Sequence, residues 1–469
     1  MESRVLFDFL VISHQLVLEA IYLGRIFGTD GVRGIAISEL TIDLAMKIGK
    51  YVSKILAPNG GKILIGKDTR ISSSCLECAL AAGISSYGTD VILLGVVPTP
   101  AVAYLTKISK SCAGIMVSAS HNSFEFNGIK IFNSDGFKIS NEIQNEIENL
   151  ILDDNHEISY CPQNYKTGTI KHDSYLVSQY YNYLKKILRS VNLKVVFDCA
   201  NGAASNCAGK IFKPMEDCEY LNISPDGFNI NKNCGSTCLS TLSNYVTVNK
   251  FDLGIAFDGD ADRCLAIDCN GEIIDGDHII AAVSLDMKNK NSNFNNIVVG
   301  TMMSNMGLEN FLKDHGITFL RTKIGDRFVA EEMRNSGSLI GGEQSGHIIF
   351  SQYSTTGDAI LTAIILINLV STLKSSSEIP KLFSKCPQFV KNIKIPFEDF
   401  CERDEFKLFI KKLEGIFEND GRVFVRESGT EPVVRVMCES MDARKLSLAR
   451  EEIEKFESLN CEVKAKCKI

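Results

Sequence analysis

The chain has 469 residues, 45% of them hydrophobic and 23% charged, and a formal net charge of −7. That length exceeds one hydrophobic core and suggests three or four domains, and the composition is that of an ordinary soluble globular protein. So small a negative charge supplies no global field for nucleic acid or an anionic membrane, so an anionic small substrate needs positive charge gathered locally.

Taken in chain order, the first residues, "MESRVLFDFLVISHQLVLEAIYLG" (1–24), are apolar enough to test as a targeting signal. Asp8, His14 and Gln15 interrupt the run and no small-x-small cleavage site follows, so it reads as a dispensable extension, for which a later start codon is one explanation that N-terminal sequencing would settle. "GKILIG" (61–66) is a β-branched strand and "SCLECALAAGISSYG" a helix ending at glycine; "DVILLG" (90–95) and "VVPTPAVAYLT" repeat the alternation. The unit recurs at "LKVVFDCANGAA" (193–204), "FDLGIAFDGDADR" (251–263) and "NIVVGTMMSNMGLENFLKDHG" (296–316), which predicts several related α/β domains. Polar segments at "NYKTGTIKHDS" (164–174), "DCNGEIIDGDHII" (268–280) and "STLKSSSEIPKLFSKCPQ" (371–388) mark boundaries. They divide the chain into 25–168, 169–268, 269–385 and 386–469. The tail differs in kind: "GRVFVRESGTEPVVRVMCES" is strand–loop–strand, and "DARKLSLAREEIEKFES" is an amphipathic helix, a smaller α+β unit. Sixteen cysteines, without ligand-like spacing to histidine, read as scattered small core residues kept reduced. A disulfide frame or a zinc site is not expected.

Five motifs carry chemistry. "FGTDGVRG" (27–34) sets Arg33 between glycines, a weak signal alone. In "GIMVSASHNSFEFNGIKIF" (114–132) an apolar run leads straight into two serines, a histidine and an asparagine. A plain polar turn accounts for that, and so does a nucleophile, since serine needs a base and charge stabilisation that His121 and Lys130 could give. "AFDGDADR" sets Asp258, Asp260 and Asp262 at alternate positions after an apolar strand. Three carboxylates so close repel unless a cation joins them, and hard oxygen ligands select magnesium or calcium. A calcium loop of the EF-hand type would need glycine and glutamate where Arg263 and Cys269 stand, so magnesium serving a phosphate is the better reading, with Arg263 available to phosphoryl oxygens. "GGEQSGH" (341–347) groups Glu343, Gln344, Ser345 and His347, which suits a polyhydroxylated ligand or a structural turn. "RESGTEP" (426–432) brings Arg426, Ser428, Gly429 and Thr430, with Arg435 just beyond, and reads as a phosphate loop or an ordinary hairpin. One motif per inferred domain, plus the leading loop, makes a joint case for a cleft where they converge.

In this order, the five motifs resemble the α-D-phosphohexomutases. The resemblance runs from about Gly24 to the C-terminus, supported by "GKDTR", "PTPAVAYLT", "DCANGAA", "PDGFNIN" and "IGDRFV". It implies four domains around a central cleft, three related α/β domains and a smaller C-terminal α+β domain. Extension 1–24 precedes domain I (25–168) with a phosphoserine loop, II (169–268) with a metal loop, III (269–385) with a sugar-binding loop and IV (386–469) with a phosphate-binding loop. Ser120 would be the phosphorylated nucleophile, with Ser118 beside it, and Asp258, Asp260 and Asp262 would hold one Mg2+ that also touches the phosphoserine. Arg33, Lys130, His121 and Arg263 would serve the reacting end, Lys130 and His121 as proton-transfer candidates. Glu343, Ser345 and His347 would contact the sugar, and Arg426, Ser428, Gly429, Thr430 and Arg435 the distal phosphate. Gln344 fits the subgroup that handles glucosamine phosphates. The implied reaction interconverts glucosamine 6-phosphate and glucosamine 1-phosphate through a hexose 1,6-bisphosphate that also activates the enzyme, on the route to UDP-N-acetylglucosamine and the cell wall. A cytoplasmic monomer or homodimer acting on a small hexosamine phosphate, with neither nucleic acid nor membrane as partner, is expected. A phosphomannomutase or phosphoglucomutase, a magnesium phosphohydrolase and a non-catalytic sugar-phosphate binder are the rival readings. Three residues depart from the family pattern: Ser123 where proline is usual, Phe126 where an acidic or amide residue is usual, and Cys238 where histidine is usual. The first removes a ring that would stiffen the nucleophile loop.

Overall fold

The structure, a computed structural model, describes residues 26–28, 30–153, 167–290, 293–394, 401, 403–418, 420–427 and 433–466. The expected extension 1–24 lies outside the described residues. Contacts divide the chain into two compact units. One holds the chain up to Met303 together with His315–Leu382, the other Ser304–Asp314 with Phe383–Ile469.

The first unit contains three sheets. In the first, β1 (Val32–Ile35), β2 (Lys62–Lys67), β3 (Asp90–Val96), β4 (Ala113–Val117), β5 (Phe126–Asn133) and β6 (Ile170–His172) are ordered β1-β5-β4-β2-β3-β6. Strands β2, β3, β4 and β6 run parallel, whereas β5 turns back antiparallel to both β4 and β1. In β4 all five residues, AGIMV, are buried, the continuous apolar run expected of a strand covered on both faces. Helices Ile42–Leu56 and Ser73–Ser86 cover the sheet, and Ile48, Leu76, Leu80, Ile63, Ile115 and Ile129 meet in one core. Each such side chain contributes about 1.5–3 kcal/mol when fully buried.

The second sheet orders β7 (Val195–Asp198), β8 (Cys218–Leu221), β9 (Leu253–Phe257), β10 (Cys264–Asp268) and β11 (Ile273–Ile274) as β11-β10-β9-β7-β8, with β10 antiparallel to β9. The third, from β12 (Ile297–Thr301), β13 (Thr318–Thr322), β14 (Ile340–Gly342) and β15 (Ile348–Phe350), runs β13-β12-β14-β15, with β15 antiparallel to β14. One device therefore recurs three times. An apolar strand of the parallel part ends in a polar loop, and the next strand returns antiparallel along its edge. Helix starts are fixed by side-chain caps: Thr41, Ser140, Asp173, Asp275 and Asp358 each accept a first-turn backbone N–H.

In the second unit β16 (Gln388–Lys394), β17 (Gly421–Glu427) and β18 (Val433–Ser440) form an antiparallel sheet ordered β16-β18-β17, backed by helices Asp404–Phe417 and Ala443–Lys466.

Three details differ from the sequence reading. The polar stretch expected to separate the first two domains contains β6, which pairs with β3 and completes the first sheet, because the β3 edge would otherwise leave backbone groups unpaired. Residues 164–166 of that stretch lie outside the described residues. Helix Met306–Asp314, expected within the third domain, groups with the second unit: Met306 N donates to Glu439 (2.9 Å) and Asn305 Nδ2 to the Cys386 carbonyl (3.0 Å). Cysteines are not all in the core either, since Cys75 and Cys78 are exposed; the thirteen cysteines whose side chains the structure describes are free thiols.

Candidate active site

The loop between β4 and β5 carries Ser120, almost fully buried at 1% exposure and held at φ +54°. Left-handed backbone at a non-glycine residue costs on the order of 1–3 kcal/mol and persists only where neighbours over-determine it. Ser120 N–H donates to Ser118 Oγ (2.9 Å), and Ser118 Oγ donates onward to Asp68 (2.7 Å). The Ser120 hydroxyl donates to Asp258 Oδ2 at 2.7 Å, and His121 Nδ1 lies 3.4 Å from Ser120 Oγ. Burial first, then the Arg263 and Arg33 guanidiniums, push the His121 imidazole down to about 4, so it is a neutral base at physiological pH. The motif's histidine, both arginines and the serine are thus electrostatic neighbours.

The loop between β9 and β10 supplies Asp258, Asp260 and Asp262, all buried, with one oxygen from each within 4.8 Å of the others. Gly259 is required by close approach: a Cβ there would stand 2.5 Å from the Ser120 carbonyl oxygen. Asp258 Oδ1 accepts the N–H groups of Asp262 (3.1 Å) and Arg263 (3.0 Å), which turns the loop in on itself. Lys130 reaches in from β5 and donates to Asp260 Oδ2 (2.8 Å) and Asp262 Oδ2 (2.9 Å). The Thr99 hydroxyl, at the start of helix Thr99–Ile108, also donates to Asp260 Oδ2. Asp260 Oδ1 and Asp262 Oδ1 stay buried with no hydrogen-bond partner among the described residues. Three converging carboxylates with spare buried oxygens fit a hard divalent cation.

The charges are set against one another. Burial and the two neighbouring carboxylates hold Asp258 well above the usual carboxylate range. For Asp262, burial pushes up, but Lys130, His347 and Arg263 outweigh it and hold it well below. Lys130 is likewise desolvated, yet Asp260, Asp262 and Asp30 keep it firmly protonated.

In the third sheet the loop 343–347 turns back on the metal loop. Cys264 N–H, opening β10, donates to the Gly346 carbonyl (3.0 Å), and Gly346 sits at φ +91° with no room for a Cβ, which would lie 2.4 Å from Cys264 O. Burial, the largest influence on Glu343, raises its carboxyl. Ser345 and Gln344 are half-buried at the loop tip. His347, expected among the sugar contacts, is 3% exposed and has both ring nitrogens occupied within the protein. Its Nε2 accepts Gly357 N–H (3.0 Å), and Nδ1 faces Asp262 Oδ1 at 3.6 Å. Asp326 Oδ2 also lies 3.3 Å from Nε2; burial disfavours the charged imidazolium, but Asp326 and Asp262 outweigh it and raise the ring above its ordinary value. His347 thus lies between Asp262 and Asp326.

In the second unit Arg426 of β17 stands directly opposite Arg435 of β18. Like charges directly opposite one another destabilise a ladder. Ser428, Gly429 and Thr430 lie outside the described residues. Arg33 pairs with Asp30 (2.6 Å), while Nε of Arg33 and of Arg263 are buried donors with no hydrogen-bond partner among the described residues.

Sequence reading gave no role to several residues the structure places at the site. Asp30 binds Arg33, Lys138 and, at 3.5 Å, Lys130; those three cations outweigh its burial and hold its carboxyl far below the usual range. Lys138 also binds Asp326, at the head of helix Asp326–Ser336. Asp30, Thr99 and Asp326 sit in "FGTDGVRG", "PTPAVAYLT" and "IGDRFV", so the signal was present as a polar residue inside each quoted segment.

All four domains described as phosphoglucomutase/phosphomannomutase match the chain: alpha/beta/alpha domain I at residues 24–157, II at 175–271, III at 275–386 and the C-terminal domain at 374–456. The chain belongs to this family, the α-D-phosphohexomutases, and is by class a phosphomutase, an isomerase. A phosphoglucosamine mutase of Acetivibrio thermocellus is 46% identical over 430 residues, covering 90% of this chain and 96% of the relative. Another, from Caldanaerobacter subterraneus subsp. tengcongensis, is 45% identical over 441 residues, covering 92% and 98%. The crystal structure of a phosphoglucomutase/phosphomannomutase family protein from Burkholderia thailandensis shares the fold, with a TM-score of 0.77 at 23% identity over 92% of this chain and 96% of that one. No described helix is long and apolar enough to cross a membrane.

Proposed function

We propose that the chain interconverts glucosamine 6-phosphate and glucosamine 1-phosphate through a phosphorylated Ser120 and a glucosamine 1,6-bisphosphate, as the names of its 45–46% identical relatives suggest. The observation that carries the mechanism is Ser120 Oγ, buried and 2.7 Å from the first carboxylate of the triad. Asp258, Asp260 and Asp262 would hold one Mg2+, which when bound supplies positive charge to the oxygens of a transferring phosphoryl group.

The protein's own groups supply the rest. The phosphorus–Oγ bond of phospho-Ser120 breaks as phosphorus bonds to the acceptor sugar hydroxyl, whose proton passes to a neutral base, with His121 in place to take it. The bisphosphate turns end for end, and its other phosphoryl group returns to Ser120 Oγ. The free Nε donors of Arg33 and Arg263 suit phosphoryl oxygens. Lys130 stays protonated and keeps Asp260 and Asp262 in register. Glu343 and Ser345 would read the sugar, while Arg426, Arg435 and the loop 428–430 would hold the distal phosphate. Burial of Ser120 keeps water from the phosphoryl group. We place the enzyme, monomer or homodimer, in the cytoplasm, where sugar phosphates are retained by their charge and its free thiols stay reduced.

Intact-protein mass spectrometry tests this directly. One phosphoryl group should reside on Ser120 and discharge onto added glucosamine phosphate with no release of free phosphate. Stoichiometric phosphate release would replace the reading by a phosphohydrolase, and faster turnover of mannose 1-phosphate would overturn the substrate.

A further inference from the structure

Just after β2, in "GKDTR", lies a side chain the proposed chemistry leaves unused. Arg70 is fully buried, and a guanidinium has five N–H donors. Its Nε donates to Asp68 Oδ2 (2.8 Å). Nη2 donates to the carbonyls of Ser120 (2.9 Å) and Asn122 (2.8 Å), and Nη1 to those of Ser123 and Phe126 (3.0 Å to Phe126). Every donor is spent, four of them on the backbone of the nucleophile loop. Asp68 in turn accepts from Ser118 Oγ, whose oxygen receives the Ser120 N–H. The same pair therefore fixes both backbone polar groups of Ser120, its carbonyl directly and its amide through Ser118.

A second clasp comes from the chain that follows β8. Asn231 Nδ2 donates to the Ser120 and Asn122 carbonyls, 2.9 Å to each, so these two oxygens are held from both sides. Its backbone N–H bonds the Ala200 carbonyl (2.9 Å), which ties it to the sheet that presents the aspartate triad.

We propose that Arg70, opposed by Asn231, is the positioning residue that locks Ser120 in its left-handed conformation and aims Oγ at Asp258, replacing the stiffness that Ser123 forgoes. Only a planar fork with donors on three nitrogens spans those carbonyls, so lysine should not substitute. The inference rests on Ser120 being the nucleophile.

Arg70→Lys keeps the charge and loses the fork. It should stay folded by circular dichroism, with kcat lowered about 100-fold, KM unchanged and a larger share of phosphoryl groups lost to water per turnover. Asn231→Asp keeps the side-chain shape but turns a donor into an acceptor facing two carbonyls, and it should show the same split in smaller measure. If Arg70→Lys does not fold, Asn231→Asp alone decides. Wild-type kcat in a folded Arg70→Lys, or a rise in KM with kcat and the hydrolytic share unchanged in either variant, overturns the proposal. Ser120→Ala run alongside separates the two claims: activity without that hydroxyl would remove the nucleophile itself, whereas an inactive Ser120→Ala beside a fully active Arg70→Lys removes only the positioning role.

Discussion

Lys130→Met is the most exacting test of the site's electrostatics. The ammonium lies 2.8 Å from Asp260, 2.9 Å from Asp262 and 3.5 Å from Asp30, with its side chain 1% exposed. Methionine fills much the same volume, so packing changes little and the loss is of charge. Removing one partner of a buried pair costs about 3–5 kcal/mol. Here one cation answers several carboxylates, which places the expected loss at the upper end, a large part of the roughly 5–15 kcal/mol that holds a typical domain folded. The assay is urea unfolding in EDTA and again in excess Mg2+. In EDTA the variant should lose several kcal/mol; added Mg2+ should restore part, about 2.7 kcal/mol at a free concentration one hundred times its dissociation constant. Acid gives an independent sign. In the wild type, Asp30 is held below its unfolded value, so its contribution is present above the ordinary carboxylate range and is lost as pH falls through the folded value. The variant should lack that part of the acid loss. A midpoint in EDTA within about 1 kcal/mol of wild type, smaller than any loss of a buried partner, would refute the reasoning.

Ser120→Ala should abolish mutase activity and protein-bound phosphate while the circular dichroism spectrum stays unchanged. Burial raises Asp358 to about 6, even though it caps helix Ala359–Val370 and accepts from Tyr180 (2.8 Å). Its contribution is therefore full below the unfolded value of 3.8 and declines as pH rises through about 6. Asp358→Asn should flatten that slope of unfolding free energy between pH 4 and 7, and an unchanged slope would refute the assignment. Gly346→Ala forces a Cβ against the Cys264 carbonyl at φ +91° and should cost about 1–3 kcal/mol in thermal unfolding while raising KM.

The elements of the first unit were legible because their signals are local. "DVILLG" and "LGIAF" are apolar strands ended by turn residues, and structure follows them within a residue or two. Motif residues were legible for a related reason: Ser120, the triad and the 341–347 loop all occupy the turn from a strand to its antiparallel neighbour, where polar runs interrupt apolar ones. What the sequence could not yield are partnerships. Nothing local links Asp30 to Lys138, or Arg70 to the Ser123 carbonyl, since each pair is joined by the fold across intervening strands. His347 shows the limit most clearly. Its neighbours read as sugar-facing, and only the fold brings Gly357 N–H and Asp326 to Nε2 and Asp262 to Nδ1.

These partnerships form one connected set of charges. Lys138 joins Asp30 to Asp326, Asp30 joins Arg33 and Lys130, and Lys130 joins Asp260 and Asp262, which His347 touches from the third sheet's loop. The links range from fully buried, Lys130 with Asp260 and Asp262, to half-buried, Arg33 with Asp30, so the bare charge left by removing a member costs most at the Lys130 end. The triad loop and the loop 343–347 are thus positioned twice, by the strands that bracket them and by charged contacts to another sheet, Lys130 for the first and His347 with Asp262 for the second. Strand pairing sets a loop only to the accuracy of its own sheet, whereas phosphoryl transfer needs groups from three sheets in register. The charge network supplies a cross-sheet register of this kind, its members lie in different motifs, and the glycines at 259 and 346, which carry no functional group, let neighbouring loops touch.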